Sequence, residues 1–383
     1  MRFGYVVRLA ALLLPSLGFA EVHNSSAQIE ARMKEMIAAH EIPGAVTVVA
    51  TRDGVQAQAV GHTGLEGSNP MQPNSIFWIA SMTKPITGTA ILMLQEAGKL
   101  SVDDPVAKYV PELGKLKTLA GQPANLTLKH LMTHTSGMPE ATPDEAKTAA
   151  KLADLIPFYL NKPMQFEPGS QWKYCQSGIN TLGRIIEVVS GKPYEVFLEE
   201  RLFRPLGMKD STFYLSDKQL PRLVTAVKRE DDGRLTEAAI GLLQGKSPTS
   251  RDRYPAANGG LFSTGPDYAR FARMILNGGK LDGKVYLKPE SVKQMTTIQT
   301  GDLKTGFTPG NGWGLTWCVV REPQGVTAML KPGTHGHGGA YGTQAWIDGE
   351  QGVALILMVQ RSNFGNSDAS RVRQAFQEAA LGQ

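Results

Sequence analysis

Ser81 and Lys84, within the run Phe77 to Leu94 (FWIASMTKPITGTAILML), place a hydroxyl and an amine one helical turn apart. Residues at i and i+3 share a helix face. An amine whose pKa is lowered by burial or by a neighbouring cation can take up the proton of such a serine. The chemistry open to this pair is acyl transfer through a covalent serine ester. A bare S-x-x-K is a common pattern, and most such pairs lie on solvated helix faces, but here apolar residues lead into the motif and follow it. That context puts Ser81 at the start of a buried helix, where free backbone N–H groups favour developing negative charge.

Two further segments could act with the pair. Tyr174-Cys175-Gln176 lies in Phe166 to Asn180 (FEPGSQWKYCQSGIN), between a Pro168-Gly169 turn and a helix expected over Ile179 to Val189. A connection of this kind can aim polar groups into a cleft. A phenol beside a cationic lysine loses its proton more readily and can serve as a general base, although a tyrosine by itself is more often a packing residue. The other segment is Gly336-His337-Gly338-Gly339-Ala340, ahead of a strand starting near Thr343. Its glycines let a substrate approach the backbone, and the next N–H can donate to an oxyanion.

The elements that must hold these residues are readable at both ends of the chain. Apolar residues at helical spacing mark a helix from Ala27 to His40. AVTVVA (Ala45 to Ala50) and VQAQAV (Val55 to Val60) flank Thr51-Arg52-Asp53-Gly54 as a β-hairpin. Thr343 to Ile347 and Val353 to Val359 flank Asp348-Gly349 as a second, and Asp368 to Leu381 closes the chain as a helix. The fold class expected is α/β (α+β), an antiparallel sheet flanked by terminal helices. Residues of about 105–240 read as a mainly helical lobe, inserted in an α/β lobe of about 21–104 and 241–383, the whole forming one catalytic domain.

Composition bounds the function without selecting it. The 383 residues, 42% hydrophobic and 20% charged, suffice for a sizeable core and more than one lobe. The formal net charge of +5 is dispersed among alternating signs, as in Lys228 to Arg234 (KREDDGR), so no nucleic-acid partner is expected. Arg2 and Arg8 precede an apolar stretch from Leu9 to Leu17, and Gly18-Phe19-Ala20 offers a cleavage site after Ala20. Residues 1–20 therefore read as a signal peptide and the mature protein as secreted or periplasmic. The apolar run falls short of the roughly 20 residues of a membrane span. Cys175 and Cys318 could pair, but two isolated cysteines are more often buried and free, and a cysteine nucleophile is a minor alternative.

Taken in order, the three segments resemble the serine β-lactamase and penicillin-binding-protein superfamily, in its class C β-lactamase, D-alanyl-D-alanine carboxypeptidase and family VIII esterase branch. The resemblance extends over KLSVDDPVAKYVPEL (Lys99 to Leu113), LTLKHLMTHTSGMP (Leu126 to Pro139), RLFRPLGMKDSTFY (Arg201 to Tyr214) and NGGLFSTGPDYARFARMILNGG (Asn258 to Gly279). It implies a β-lactamase/transpeptidase-like fold, Ser81 as acylated nucleophile, Lys84 as its proton acceptor and Tyr174 as the tyrosine of a Y-x-N element that protonates the leaving group. It also implies an oxyanion hole from the backbone N–H groups of Ser81 and Ala340, and substrate-binding roles for Gln176, His337, Gly338 and Gly339. No cofactor is implied. Two positions depart from the pattern of the family's β-lactamases: Gln176 replaces an asparagine, and His337 replaces the lysine of K-T-G. Both weaken the case for efficient β-lactam hydrolysis, while a histidine can still hydrogen-bond a substrate carboxylate.

Other features are better explained structurally. His335-x-His337 and His130-x3-His134 have metal-like spacing, but no completing ligand is evident, so no metal is expected. Asp104-Pro105 reads as a helix N-cap with proline at the first helical position rather than as part of a catalytic carboxylate pair with Asp103. Gly241 to Ser247 (GLLQGKS) is one residue too short for a phosphate loop, and no G-x-S-x-G elbow occurs. Three functions fit: a serine hydrolase of small esters with weak β-lactam turnover, a peptidase of D-amino-acid peptides or β-lactamase, and a non-catalytic binding protein on the same fold.

Overall fold

A computed structural model describes residues 19–382. The expected leader lies outside the described residues except for Phe19 and Ala20, which open helix α1 (Phe19–Ala38). Strands β1 (Gly44–Thr51) and β2 (Val55–Gly61) form the first hairpin, followed by helices α2 (Thr83–Glu96), α3 (Gln176–Ser190) and α4 (Gly265–Leu276). Strands β3 (Asn311–Trp313), β4 (Cys318–Val320), β5 (His335–Gly338), β6 (Gln344–Asp348) and β7 (Val353–Met358) come next, and helix α5 (Arg371–Ala380) ends the chain. The seven strands make one antiparallel sheet in the order β2-β1-β7-β6-β5-β4-β3. No helix among the described residues is long and apolar enough to cross a membrane.

The central strands are apolar on both sides because helices cover both. Every residue of β1 and β7 is buried. Successive side chains alternate between faces, so Ala45 and Val49 join Ile29 and Met33 of α1 and Val372 and Phe376 of α5. Val46, Val48 and Ala50 share the opposite cluster with Ala269 and Ala272 of α4. The two strands are held in register with Val46 opposite Met358 and Val48 opposite Ile356. Helix α4 begins where the Thr264 hydroxyl accepts from the Asp267 N–H at 3.2 Å, with Pro266 in the first turn.

Helix α2 is buried from Thr83 to Leu94 all round, which is the condition for a stretch that is apolar on every face. Two of its three threonines are satisfied, Thr83 Oγ1 donating to the Ala80 carbonyl at 2.7 Å and Thr87 Oγ1 lying 2.8 Å from the Ala257 carbonyl and 2.7 Å from the Tyr194 hydroxyl, whereas the buried Thr89 hydroxyl has no partner. Helix α3 packs across α2 with residues 177–183 buried.

Several sequence expectations shift in detail. Helix α3 starts at Gln176 instead of Ile179, because Glu140 and Cys175 cap its first N–H groups. Asp104 is not an N-cap: Pro105 occupies that position before a single 3₁₀ turn, Val106–Lys108. Asp104 instead folds back to accept from the Ser101 N–H at 2.8 Å, from Lys108 and from Tyr109. The segment of residues 105–240 carries a small hairpin, Val227–Arg229 with Leu235–Glu237, besides its short helices. The His337 segment is itself strand β5, paired with β6 and β4, rather than a loop before one. Replacing Phe376, 1% exposed between α5 and the sheet, by alanine is expected to lower stability by about 3–5 kcal/mol in urea denaturation.

Candidate active site

The site forms where the turn before α2, the start of α3 and the β5–β6 hairpin meet. Ser81 lies in a 3₁₀ turn, Ala80–Met82, that runs directly into α2. Ala80 holds φ = +47°, a left-handed conformation uncommon for a residue with a Cβ, and is pressed between Gly259 and Gly339. A Cβ on Gly339 would lie 2.1 Å from Thr343 Oγ1 and 2.6 Å from the Ile79 carbonyl. The glycines of this segment are therefore required by packing against the Ser81 turn and against Asp368, whose Oδ1 would be 1.8 Å from a Cβ on Gly338. Ser81, Gly338, Gly339 and Ala340 line one cavity of ≈ 370 Å³ with Tyr174 and His337.

Lys84 is fully buried, and its Nζ has three polar neighbours: Ser81 Oγ at 3.1 Å, Gln176 Oε1 at 2.9 Å and the Asn258 carbonyl at 2.7 Å. Burial lowers its pKa to about 7, against the opposing charge of Glu140 and the Cys175 sulfur. A neutral amine has two N–H donors and one lone pair. Gln176 Oε1 and the Asn258 carbonyl can only accept, so they take both donors and the lone pair is left for the Ser81 hydroxyl. Gln176 Oε1 also accepts from Asn258 Nδ2 at 2.9 Å, which fixes the amide.

Tyr174 and His337 complete the group. Lys84 Nζ lies 4.5 Å from the centre of the Tyr174 ring. The expectation that the lysine would make this phenol more acidic is reversed: burial above all, and then the Asp368 charge, push its pKa well above the usual value. His337 Nδ1 is 2.7 Å from the Gly338 carbonyl, which only accepts, so Nδ1 carries the proton. Nε2, 3.3 Å from the Tyr174 hydroxyl, is then an acceptor for it. Burial and the Lys84 charge depress His337 to about 3, so the ring stays neutral. The expected histidine donor to a substrate carboxylate has no N–H free for that purpose.

The other sequence candidates separate from this centre. Cys175 and Cys318 are both free and buried. Burial pushes the Cys175 thiol up to about 12, and its sulfur accepts from the Gly178 N–H, so it is no nucleophile at neutral pH. His130 caps its own short helix, and His335 Nδ1 is 3.1 Å from the Gly333 carbonyl. His134 accepts from the Cys175 N–H at 3.1 Å and packs its ring 4.5 Å from that of Tyr174. No group of three His, Cys, Asp or Glu placed to hold a metal occurs among the described residues. Sequence reasoning missed Asn258 and Glu140. Asn258 acts partly through a carbonyl that every residue has, and Glu140 reaches α3 across 36 positions, so neither carries a local signal.

The Beta-lactamase family model matches residues 29–380. The chain belongs to the Beta-lactamase family. Protein Rv1367c of Mycobacterium tuberculosis is 32% identical over 362 residues, covering 86% of this chain and 89% of the relative. Esterase EstB of Burkholderia gladioli is 26% identical over 385 residues, covering 94% and 96%. Among solved structures, EstCE1, a hydrolase with promiscuous acyltransferase activity, superposes with a TM-score of 0.83 at 22% identity, covering 95% of this chain and all of that one. That likeness shows the fold. With the family, the protein is a β-lactamase-related serine hydrolase.

The depressed pKa of Lys84 makes stability depend on pH. Between the unfolded amine value near 10.5 and the folded value of about 7, the unfolded state binds more protons, so stability falls as pH falls through that window. Stability of the wild type relative to Lys84→Met is expected to rise from pH 7 to pH 10 by up to about 1.4 kcal/mol per pH unit. Thermal unfolding of both proteins across this range measures the slope, and parallel curves would contradict a neutral buried amine.

Proposed function

We propose that the protein is an exported carboxylesterase that works through a Ser81 acyl-enzyme, with β-lactam hydrolysis at most slow. The observation that carries the esterase reading is the charge of the cleft. The described residues lining the cavity beside Ser81 include no lysine or arginine and one carboxylate, Asp368. The neutral His337 presents only a lone pair there, already engaged by Tyr174. A carboxylate-bearing substrate, whether a β-lactam or a peptide with a free C-terminus, finds repulsion where it needs a cation. A neutral ester does not. Export rests on the basic and apolar pattern of residues 1–20.

In this scheme Ser81 Oγ attacks the ester carbonyl as its proton passes to the lone pair of Lys84. The Ser81 and Ala340 N–H groups hold the tetrahedral oxyanion. Tyr174, kept neutral by burial, donates its proton to the departing alcohol and regains one from the Lys84 ammonium through the same hydrogen-bonded group. Water then enters, loses its proton to Lys84 and attacks the acyl carbon; the acid leaves as Ser81 Oγ regains its proton from the Lys84 ammonium. Gln176 borders both the Ser81 cavity and a second one of ≈ 410 Å³ with apolar walls at Leu155, Tyr159, Leu242 and Tyr254. The leaving alcohol fits the Tyr174 side and the acyl chain the apolar side.

Hydrolysis of short-chain nitrophenyl esters beside a chromogenic cephalosporin tests the reading. Ester turnover lost in Ser81→Ala, with little cephalosporin cleavage, is the expected result, and efficient cephalosporin cleavage would overturn it. Lys84→Ala should cost several orders of magnitude in kcat. The base must be unprotonated, so kcat/KM should fall as pH drops through about 7, the Lys84 value. A limb set far from neutrality would remove Lys84 as the base. His337→Lys should raise turnover of carboxylate-bearing substrates relative to neutral esters, whereas an equal loss on both would contradict the charge argument.

A further inference from the structure

Glu140 closes the segment Leu126 to Pro139 and reaches back to the first turn of α3. Its Oε1 accepts from the Gln176 N–H at 2.5 Å and its Oε2 from the Ser177 N–H at 2.8 Å. These are helix-terminal donors with no carbonyl partner inside the helix. The next donor, Gly178, has only the weak acceptor Cys175 Sγ at 3.4 Å. Lys162 Nζ holds the Glu140 carbonyl at 2.8 Å, so the residue is tethered at its backbone as well as through its carboxylate. A carboxylate at this end of the helix is favoured by the helix dipole. The anchored residue, Gln176, is the one whose amide oxygen accepts from Lys84 Nζ.

We propose that Glu140 is a positioning residue for acyl transfer: it clamps the first turn of α3 and thereby fixes the Gln176 amide against the Lys84 amine. This rests on Lys84 being the base for Ser81. The same carboxylate acts on that amine through space, opposing the loss of its charge by burial. The other titratable groups around Lys84 are the Tyr174 phenol and the Cys175 thiol, both pushed up by burial, and the His134 and His337 imidazoles, both pushed down. Around Glu140 stand Cys175, Tyr159 and Tyr254, each pushed up by burial and further by the Glu140 charge. Lys162 also pairs with Glu145. Glu140 is thus the carboxylate in the group, and removing its charge lowers the basicity of Lys84.

The test compares wild type with Glu140→Gln, Glu140→Asp and Glu140→Ala. Two readouts are followed against pH: the rate at which a fluorophosphonate labels Ser81, which needs no ester substrate, and kcat/KM on a nitrophenyl ester. Glu140→Gln keeps an acceptor oxygen but no charge, and should move the acid limb of both profiles down by about one pH unit. Glu140→Asp should leave the limb at the wild-type position. Glu140→Ala should lose about ten- to a hundredfold in the plateau rate through a displaced Gln176. A Glu140→Gln profile superimposable on wild type, with only a lower unfolding temperature, would overturn the proposal and leave the esterase reading standing. Failure of the wild type to label at all would overturn the Ser81–Lys84 chemistry and this inference with it.

Discussion

Everything in this protein turns on an amine placed where water cannot reach it. A buried ammonium without compensation costs several kcal/mol, and the group answers by giving up its proton. Lys84 does so near neutrality, and its partners then decide what the freed lone pair faces. Two of the three are carbonyl oxygens that can only accept, so the lone pair is directed at Ser81. The partners come from the turn before α2, the first residue of α3 and the loop at Asn258. Their convergence is possible because α2 runs through the middle of the molecule with almost every side chain buried.

The Ser81 turn is held in an unfavourable backbone conformation by what surrounds it. A non-glycine residue in the left-handed region costs on the order of 1–3 kcal/mol and persists only when its neighbours over-determine it. Ala80 meets that condition: Gly259 and Gly339 close on it, and Thr343 Oγ1 donates to the Ile79 carbonyl at 3.2 Å. The β5–β6 hairpin is thereby locked to the turn, which brings Ala340 to the same cavity as Ser81. The sheet supplies rigidity for this, since β5 is paired on both sides.

The chemical character of the cleft comes from hydrogen-bond direction as much as from residue type. His337 would be a donor or an acceptor toward a ligand depending on which nitrogen is protonated, and the Gly338 carbonyl 2.7 Å from Nδ1 settles that. The same ring, turned over, would favour carboxylate substrates. Tyr174 is affected in parallel: burial holds its proton on.

Much of the plan is legible in the sequence. The hairpins at Ala45 to Val60 and Thr343 to Val359 show themselves by apolar strands and turn residues, and the terminal helices by their spacing. The Ser81, Tyr174 and His337 segments announce themselves by residue type and order. Strands β3 and β4 do not, being three residues each. Nor does Glu140, whose partners are backbone N–H groups 36 and 37 positions away. By itself, then, the sequence determined the family, the architecture and which side chains could react, because those depend on local patterns and on residue chemistry. Only the tertiary structure decided where the protons sit: Lys84 titrating near 7, Tyr174 protonated, His337 on Nδ1. Protonation is set by desolvation and by contacts between residues up to 174 positions apart, and no local pattern encodes either.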